Sequence, residues 1–151
     1  MGVKAVSVLI IALLFVLQAS AQVLNMTIQQ GVMFVSIKVN GKDAVMLVDT
    51  GATRTIIQPR VLGLTKQGLQ SGQSGNGLIE KEGSVRAQVM RQADLRIGER
   101  KFNRQTVVVL DLSGEEKASG LRIDGLLGQD TLTQFHSVRI NYKSKTLELG
   151  N

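Results

Sequence analysis

From Gly31 onward, apolar and polar positions alternate: Val32, Phe34, Ile37 and Val39 are apolar, with Ser36 and Lys38 between them. That period of two predicts a strand, and Asn40-Gly41 after it is a strong hairpin signal because both turn positions tolerate positive φ. The return strand, Ala44–Val48, is apolar throughout, which predicts burial on both faces. It runs into Asp49-Thr50-Gly51-Ala52-Thr53. Ile56-Ile57 forms a second short apolar piece, and Pro59–Leu64 suits one or two helical turns. Ser71–Gly77 is flexible by composition. Ser84–Ile97 reads as a long strand, Gly98-Glu99 as its turn and Phe102–Leu110 as its partner. Asp111–Gly120 reads as a polar surface loop, and Ile123–Gly128 leads into a short helix over Gln129–Phe135. A hairpin closes the chain, with Ser137–Tyr142 and Thr146–Leu149 joined at Lys143-Ser144-Lys145. This order predicts a mostly-β single domain, a closed barrel or sandwich with one or two short helices.

Ahead of that domain, Ala5–Leu17 is an apolar run broken only by Ser7, preceded by Lys4 and followed by Ala19-Ser20-Ala21. A positive start, a short apolar stretch and small residues at an A-x-A site predict a secretory signal peptide over 1–21. Residues 22–151 are then the mature domain, periplasmic or secreted. The run is shorter than the roughly 20 residues that span a bilayer. Its alternative is an uncleaved anchor, and contact with a membrane is expected only in that case.

The 151 residues include no cysteine and one histidine, His136. Disulfides, thiol nucleophiles and cysteine- or multi-histidine metal sites are therefore excluded, and no metal or cofactor is expected. The formal charge of +6 raises the question of nucleic acid. The basic residues are scattered (Arg86, Arg91, Arg96, Arg100, Lys101, Arg104, Arg139, Lys143, Lys145) and lack interleaved aromatics, so nucleic-acid binding is not expected.

Asp49 is the candidate for chemistry. A carboxylate at the end of an all-apolar strand, followed by Thr-Gly, stands where the chain leaves the core. On the tripeptide alone it reads first as a turn aspartate bonding its own backbone. Three further features accompany it: the full stretch Val45-Met46-Leu47-Val48-Asp49-Thr50-Gly51-Ala52-Thr53, a Gly-rich segment downstream, and Leu126-Leu127-Gly128 at the entrance to a helix. Together they resemble the retropepsin-like aspartic proteases, in particular single-domain bacterial members, from about Val32 to Leu149. The resemblance implies that Asp49 is the catalytic carboxylate. It implies that Gly51 lets backbone approach that carboxylate, and that Thr50 ties two active-site loops across a dimer. Ala52 and Thr53 complete the loop, with Leu126, Leu127 and Gly128 packed beneath it. Gly72, Gly75, Asn76 and Gly77 would form the flap tip. Compact viral members carry an acidic residue where Thr53 stands and an arginine where Gln129 stands. Here both charges are missing, and the stretch between Asp49 and Leu126 is longer, with the excess assigned to Asp111–Gly120.

Peptide hydrolysis by carboxylates needs one ionised group and one protonated group, sharing a proton at about 3 Å. The chain has one Asp-Thr-Gly; Asp124 and Asp130 flank Leu126–Gly128, but neither follows a buried strand and precedes a glycine turn in the same way. The second carboxylate then comes from a second copy about a two-fold axis. Gly72, Gly75 and Gly77 lack the strand-to-helix context of a nucleotide site and read as flap or ordinary loop. His136 reads as a packed or surface residue, Met33, Met46 and Met90 as core filler, and Asp124 as a loop-orienting or turn residue. Two functions follow: an exported homodimeric aspartic endopeptidase acting on extended polypeptide, or a catalytically silent dimeric module that binds peptides or envelope components.

Overall fold

The computed structural model describes residues 21–65, 78–80 and 86–150. Ten strands follow in order: β1 (Gln22–Gln29), β2 (Val32–Val39), β3 (Lys42–Val48), β4 (Ile56–Ile57), β5 (Leu78–Glu80), β6 (Arg86–Ile97), β7 (Arg100–Val109), β8 (Gly125–Leu127), β9 (Ser137–Asn141) and β10 (Thr146–Gly150). Helix α1 (Ser113–Ser119) lies between β7 and β8, and α2 (Gln129–Leu132) follows β8. A 3₁₀ turn occupies Pro59–Leu62.

The strands are ordered β5-β6-β7-β4-β8-β3-β2-β1-β10-β9, and β6 also pairs with β2. That extra pairing, Lys38 with Arg96 and Val39 with Leu95, joins β6, β7, β4, β8, β3 and β2 into a closed ring. Alternating residues fill it: Val35, Ile37 and Val39 from β2, Ala44, Met46 and Val48 from β3, and Leu95 and Ile97 from β6 are all buried. On the other face of β2 and β3, Phe34 joins Leu112, Leu121 and Ile123 in a smaller cluster against half-buried Val45 and Leu47. The return strand is thus covered on both faces, as its apolar run predicts.

The Asn40-Gly41 turn forms with φ of 47° and 80°, the left-handed pair that a two-residue hairpin requires. Three expectations change. Asp111–Gly120 is largely helix rather than loop: Glu115 and Glu116 sit at the positive end of the α1 dipole, Lys117 lies in its last turn, and Gly120 closes it at φ 70°. The helix buries no side chain, so no apolar periodicity marks it. Helix α2 is shorter than expected and ends at Leu132. Finally, β1 lies outside the alternation traced from Gly31, although it alternates too, with Leu24, Met26 and Ile28 turned toward the interior. It pairs with β10 through Gln22–Asn25 and with β2 through Met26–Gln29.

Candidate active site

Strands β3 and β8 run parallel, with Met46 beside Gly125, Leu47 beside Leu126 and Val48 beside Leu127. Their C-terminal ends therefore open on the same rim, and the loops that leave them are neighbours. Asp49 leaves β3 half-buried, and its N–H donates to the Leu127 carbonyl at 3.1 Å. Its Oδ1 accepts from the N–H of Gly51 at 2.9 Å and of Ala52 at 3.1 Å. One carboxylate oxygen is thus held by two backbone donors, and Oδ2 accepts no hydrogen bond among the described residues. A Cβ on Gly51 would lie 3.3 Å from Oδ1, tighter than most such contacts. Without a Cβ, Gly51 brings its N–H to Oδ1 free of that contact. These bonds are also those of a turn aspartate. What separates this site from a simple turn is how the loop is tied to the β8 side.

Gln129 makes two of those ties: its N–H donates to the Ala52 carbonyl at 2.8 Å and its Nε2 to the Thr50 carbonyl at 2.6 Å. A third sits beneath them at fully buried Thr55. Asp130 Oδ1 accepts from the Thr55 N–H at 2.8 Å and from its hydroxyl at 2.7 Å. With its single proton spent on Asp130, the Thr55 oxygen accepts from Gly128 N–H at 3.2 Å and from the Thr131 hydroxyl at 2.7 Å. Each buried polar atom named here has a partner, the condition under which such a network rigidifies rather than destabilises. Gly128 is required for it, since a Cβ there would meet the Arg54 carbonyl carbon and oxygen at 2.5 Å.

The structure therefore brings Asp49, Thr50, Gly51 and Ala52 together with Leu127 and Gly128. Leu127 is fully buried, and Leu126 is half-buried on the face it shares with Leu47. Thr50 and Thr53 are exposed. Gly72, Gly75, Asn76 and Gly77 lie outside the described residues. His136 is exposed and Met46 is core, with Met33 and Met90 packed against that core.

Asp124 is more than a turn residue. It is 1% exposed, and its Oδ2 accepts the Val45 N–H at 2.9 Å. Arg60 reaches its Oδ1 at 2.8 Å, and Arg122 reaches Oδ2 at 3.3 Å. Burial alone would push this carboxyl up; the Val45 N–H, Arg60 and Arg122 together bring it below the ordinary value. Arg60 also grips Glu116 of α1 with two 2.7 Å bonds. That grip is the main reason the Glu116 carboxyl drops to about 2 and the Arg60 guanidinium rises. The clamp joins α1 and the 3₁₀ turn to the strand that carries Asp49.

Sequence reasoning missed Thr55, Thr131, Arg60 and Glu116, and assigned Asp130 no role. A buried threonine one turn past an Asp-Thr-Gly, facing an aspartate just inside a helix, is a readable signal in hindsight of the pairing. The clamp leaves none, because its members are far apart in the chain.

Residues 35–131 match a family model described as aspartyl protease. No curated protein sequence matches the chain. Among solved structures, it is similar to a retropepsin-like aspartic protease from Rickettsia conorii, at 20% identity and a TM-score of 0.57, over 86% of this chain and 88% of that one. It is also similar to the retroviral protease-like domain of Ddi1 from Leishmania major, at 16% identity and a TM-score of 0.52, over 79% of this chain and 92% of that one.

Proposed function

The chain belongs to the aspartyl protease family, with the retropepsin-like fold, and from that premise we propose that it is an exported, homodimeric endopeptidase built on Asp49 from two copies. One observation carries the reading. Asp49 Oδ1 is fixed by Gly51 and Ala52, which leaves Oδ2 to face a reacting group, and each chain supplies one such carboxylate. Two of them at about 3 Å share one proton. The ionised member takes a proton from water as its oxygen bonds to the peptide carbonyl carbon, and the protonated member gives its proton to the carbonyl oxygen. Collapse of the tetrahedral diol breaks the C–N bond: the protonated member passes its proton to the leaving nitrogen, one hydroxyl proton of the diol moves to the ionised member, and the pair again holds one proton. Backbone donors aimed at the carboxylate cost no reorganisation during these steps.

Half-buried Leu47 and Leu126 lie side by side just below Asp49, on the face away from the main core. They offer an apolar seat to a substrate side chain next to the scissile bond. Residues 1–21 serve as the export signal.

The test is incubation of the mature protein with denatured casein at acidic and neutral pH, with and without pepstatin. Pepstatin-sensitive fragments are the expected result. Binding of peptide without cleavage under any of these conditions would transfer the cleft to the silent-module reading.

A further inference from the structure

We infer that the outer face of β2, β6 and β7 docks on an anionic lipid surface through a row of three cations, Lys38, Arg96 and Lys101. Lys38 on β2 stands opposite Arg96 on β6, and Arg96 stands opposite Lys101 on β7. Their chain neighbours Val39, Leu95 and Phe102 are buried in the barrel, so by alternation the three cations share its outer face, where all three are exposed. With strands about 4.8 Å apart, the row spans roughly 10 Å. Like charges set directly opposite one another cost stability. Asp43 relieves only one end, bonding Lys38 at 2.7 Å, and Arg96 and Lys101 have no ion-pair partner among the described residues. Arg96 Nε reaches the Gly98 carbonyl at 3.2 Å. Asp94, the other carboxylate beside the row, already accepts the Arg104 N–H at 2.9 Å through its Oδ1.

Charge and position identify the occupant. Residues 38–43 and 94–104 hold six Lys or Arg against three Asp or Glu, half of the chain's formal +6. Clefts of about 300 and 320 Å³ flank the Lys38–Arg96 pair, one walled by half-buried Leu24 and the other by Asn103. They give room to headgroup phosphates and to the apolar stems of the cations. No aromatic side chain lines either cleft, as stacking of nucleic-acid bases would need. The chain also enters the domain here. The apolar run Ala5–Leu17 ends shortly before Gln22, whose Oε1 accepts the N–H of Glu99 at 2.8 Å, in the turn between Arg96 and Lys101. A domain leaving a bilayer through that segment meets the headgroups with these cations first. Asp43, at the end of the row, lies six residues before Asp49 along β3, roughly 20 Å of extended chain. Docking on this face therefore holds the Asp49 rim away from the lipid and open to soluble polypeptide.

The inference goes beyond the peptidase reading and is tested apart from it. Purified mature protein is mixed with phosphatidylcholine vesicles, with and without phosphatidylglycerol, at low and high salt, and sedimented. Binding is expected only with phosphatidylglycerol, and salt should release it by screening the charges. Arg96→Gln combined with Lys101→Gln is expected to weaken binding by roughly tenfold or more, since each charge near such a surface contributes about fivefold. Casein cleavage in solution should not change. Lys143→Gln combined with Lys145→Gln removes the same net charge from the β9–β10 turn and should leave binding near that of the unaltered protein. No phosphatidylglycerol-dependent binding, or an equal loss in the two double variants, overturns the docking face. Inorganic pyrophosphate that binds where vesicles do not makes the row a soluble-anion site and overturns it as well. Because the protein is purified and the readout is sedimentation, these failures leave the export and peptidase readings to their own tests.

Discussion

Gln129 Nε2 donates to the Thr50 carbonyl at 2.6 Å, a single side-chain bond that spans the β3 and β8 loops of the candidate site. Gln129→Leu removes that bond and leaves the helix N-terminus in place. Activity is expected to fall about tenfold, chiefly in kcat, with a stability loss of about 1 kcal/mol. Steady-state kinetics beside thermal unfolding checks it; an equal change in KM alone would assign Gln129 to substrate binding.

Asp49→Asn keeps the shape of the loop but cannot hold the shared proton and negative charge. Cleavage is expected to fall at least a thousandfold, with stability unchanged or slightly improved because like-charge repulsion at the axis is gone. Equal mixing of wild-type and variant chains with free exchange should leave about a quarter of the activity. Casein cleavage across the mixing series reads this out, and about three quarters of the activity would mean that one carboxylate suffices.

Gly128→Ala forces a methyl against the Arg54 carbonyl and Thr55 N–H, both backbone. Overpacking of this kind costs about 2 kcal/mol or more. Urea denaturation is expected to show the loss, with activity falling in parallel because the same shift moves the Asp49 loop. A neutral result would mean that the knot around Thr55 yields more easily than its bonding suggests.

The Glu116 carboxyl stands at about 2, depressed mainly by its bonds from Arg60, against an ordinary value of 4.5. A group depressed on folding contributes stability above its unfolded value, and the contribution is lost as pH falls through its folded value. The melting temperature is therefore expected to decline between pH 4.5 and about 2, and less steeply in Glu116→Gln. Arg60→Met, which leaves buried Asp124 with Arg122 alone among its cations, should cost about 2 kcal/mol at neutral pH. Calorimetry from pH 2 to 7 on the three proteins decides it.

The export reading predicts a secreted form that begins at Gln22. Intact-mass measurement of that form is the check. A mass that retains Met1–Ala21, with the protein in the membrane fraction, would make the apolar run an anchor.

How much of this was legible in the sequence depends on the range of each interaction. Alternation around Asn40-Gly41 and the apolar run before Asp49 are local, and the strands they predict form. Leu126-Leu127-Gly128 was placed beneath the loop by resemblance alone, and the structure supplies the reason for its glycine, the 2.5 Å that would separate a Cβ from the Arg54 carbonyl. Helix α1 was not, since a helix without a buried face carries no apolar period and is betrayed only by its charges and Gly120. β1 was overshadowed by the more apolar segment before it. The Thr55–Asp130–Thr131 knot and the Arg60 clamp join residues from opposite halves of the domain, and no local pattern specifies which polar residues will meet once the barrel closes.

The parallel ladder between β3 and β8 also sets a timetable. Its two strands come from opposite halves of the domain, and the chain between them must be made before Asp49 finds Leu127 and Gly128. Such long-range pairing is slow to form, because the closure entropy is spent before the contacts repay it. A chain still emerging from synthesis, with Asp49 already made and Gly128 not yet made, holds an aspartate with nothing to aim it. If the proposed peptidase reading holds, its chemistry is thereby withheld from the nascent chain, and a chain truncated upstream of α2 is expected to be inert.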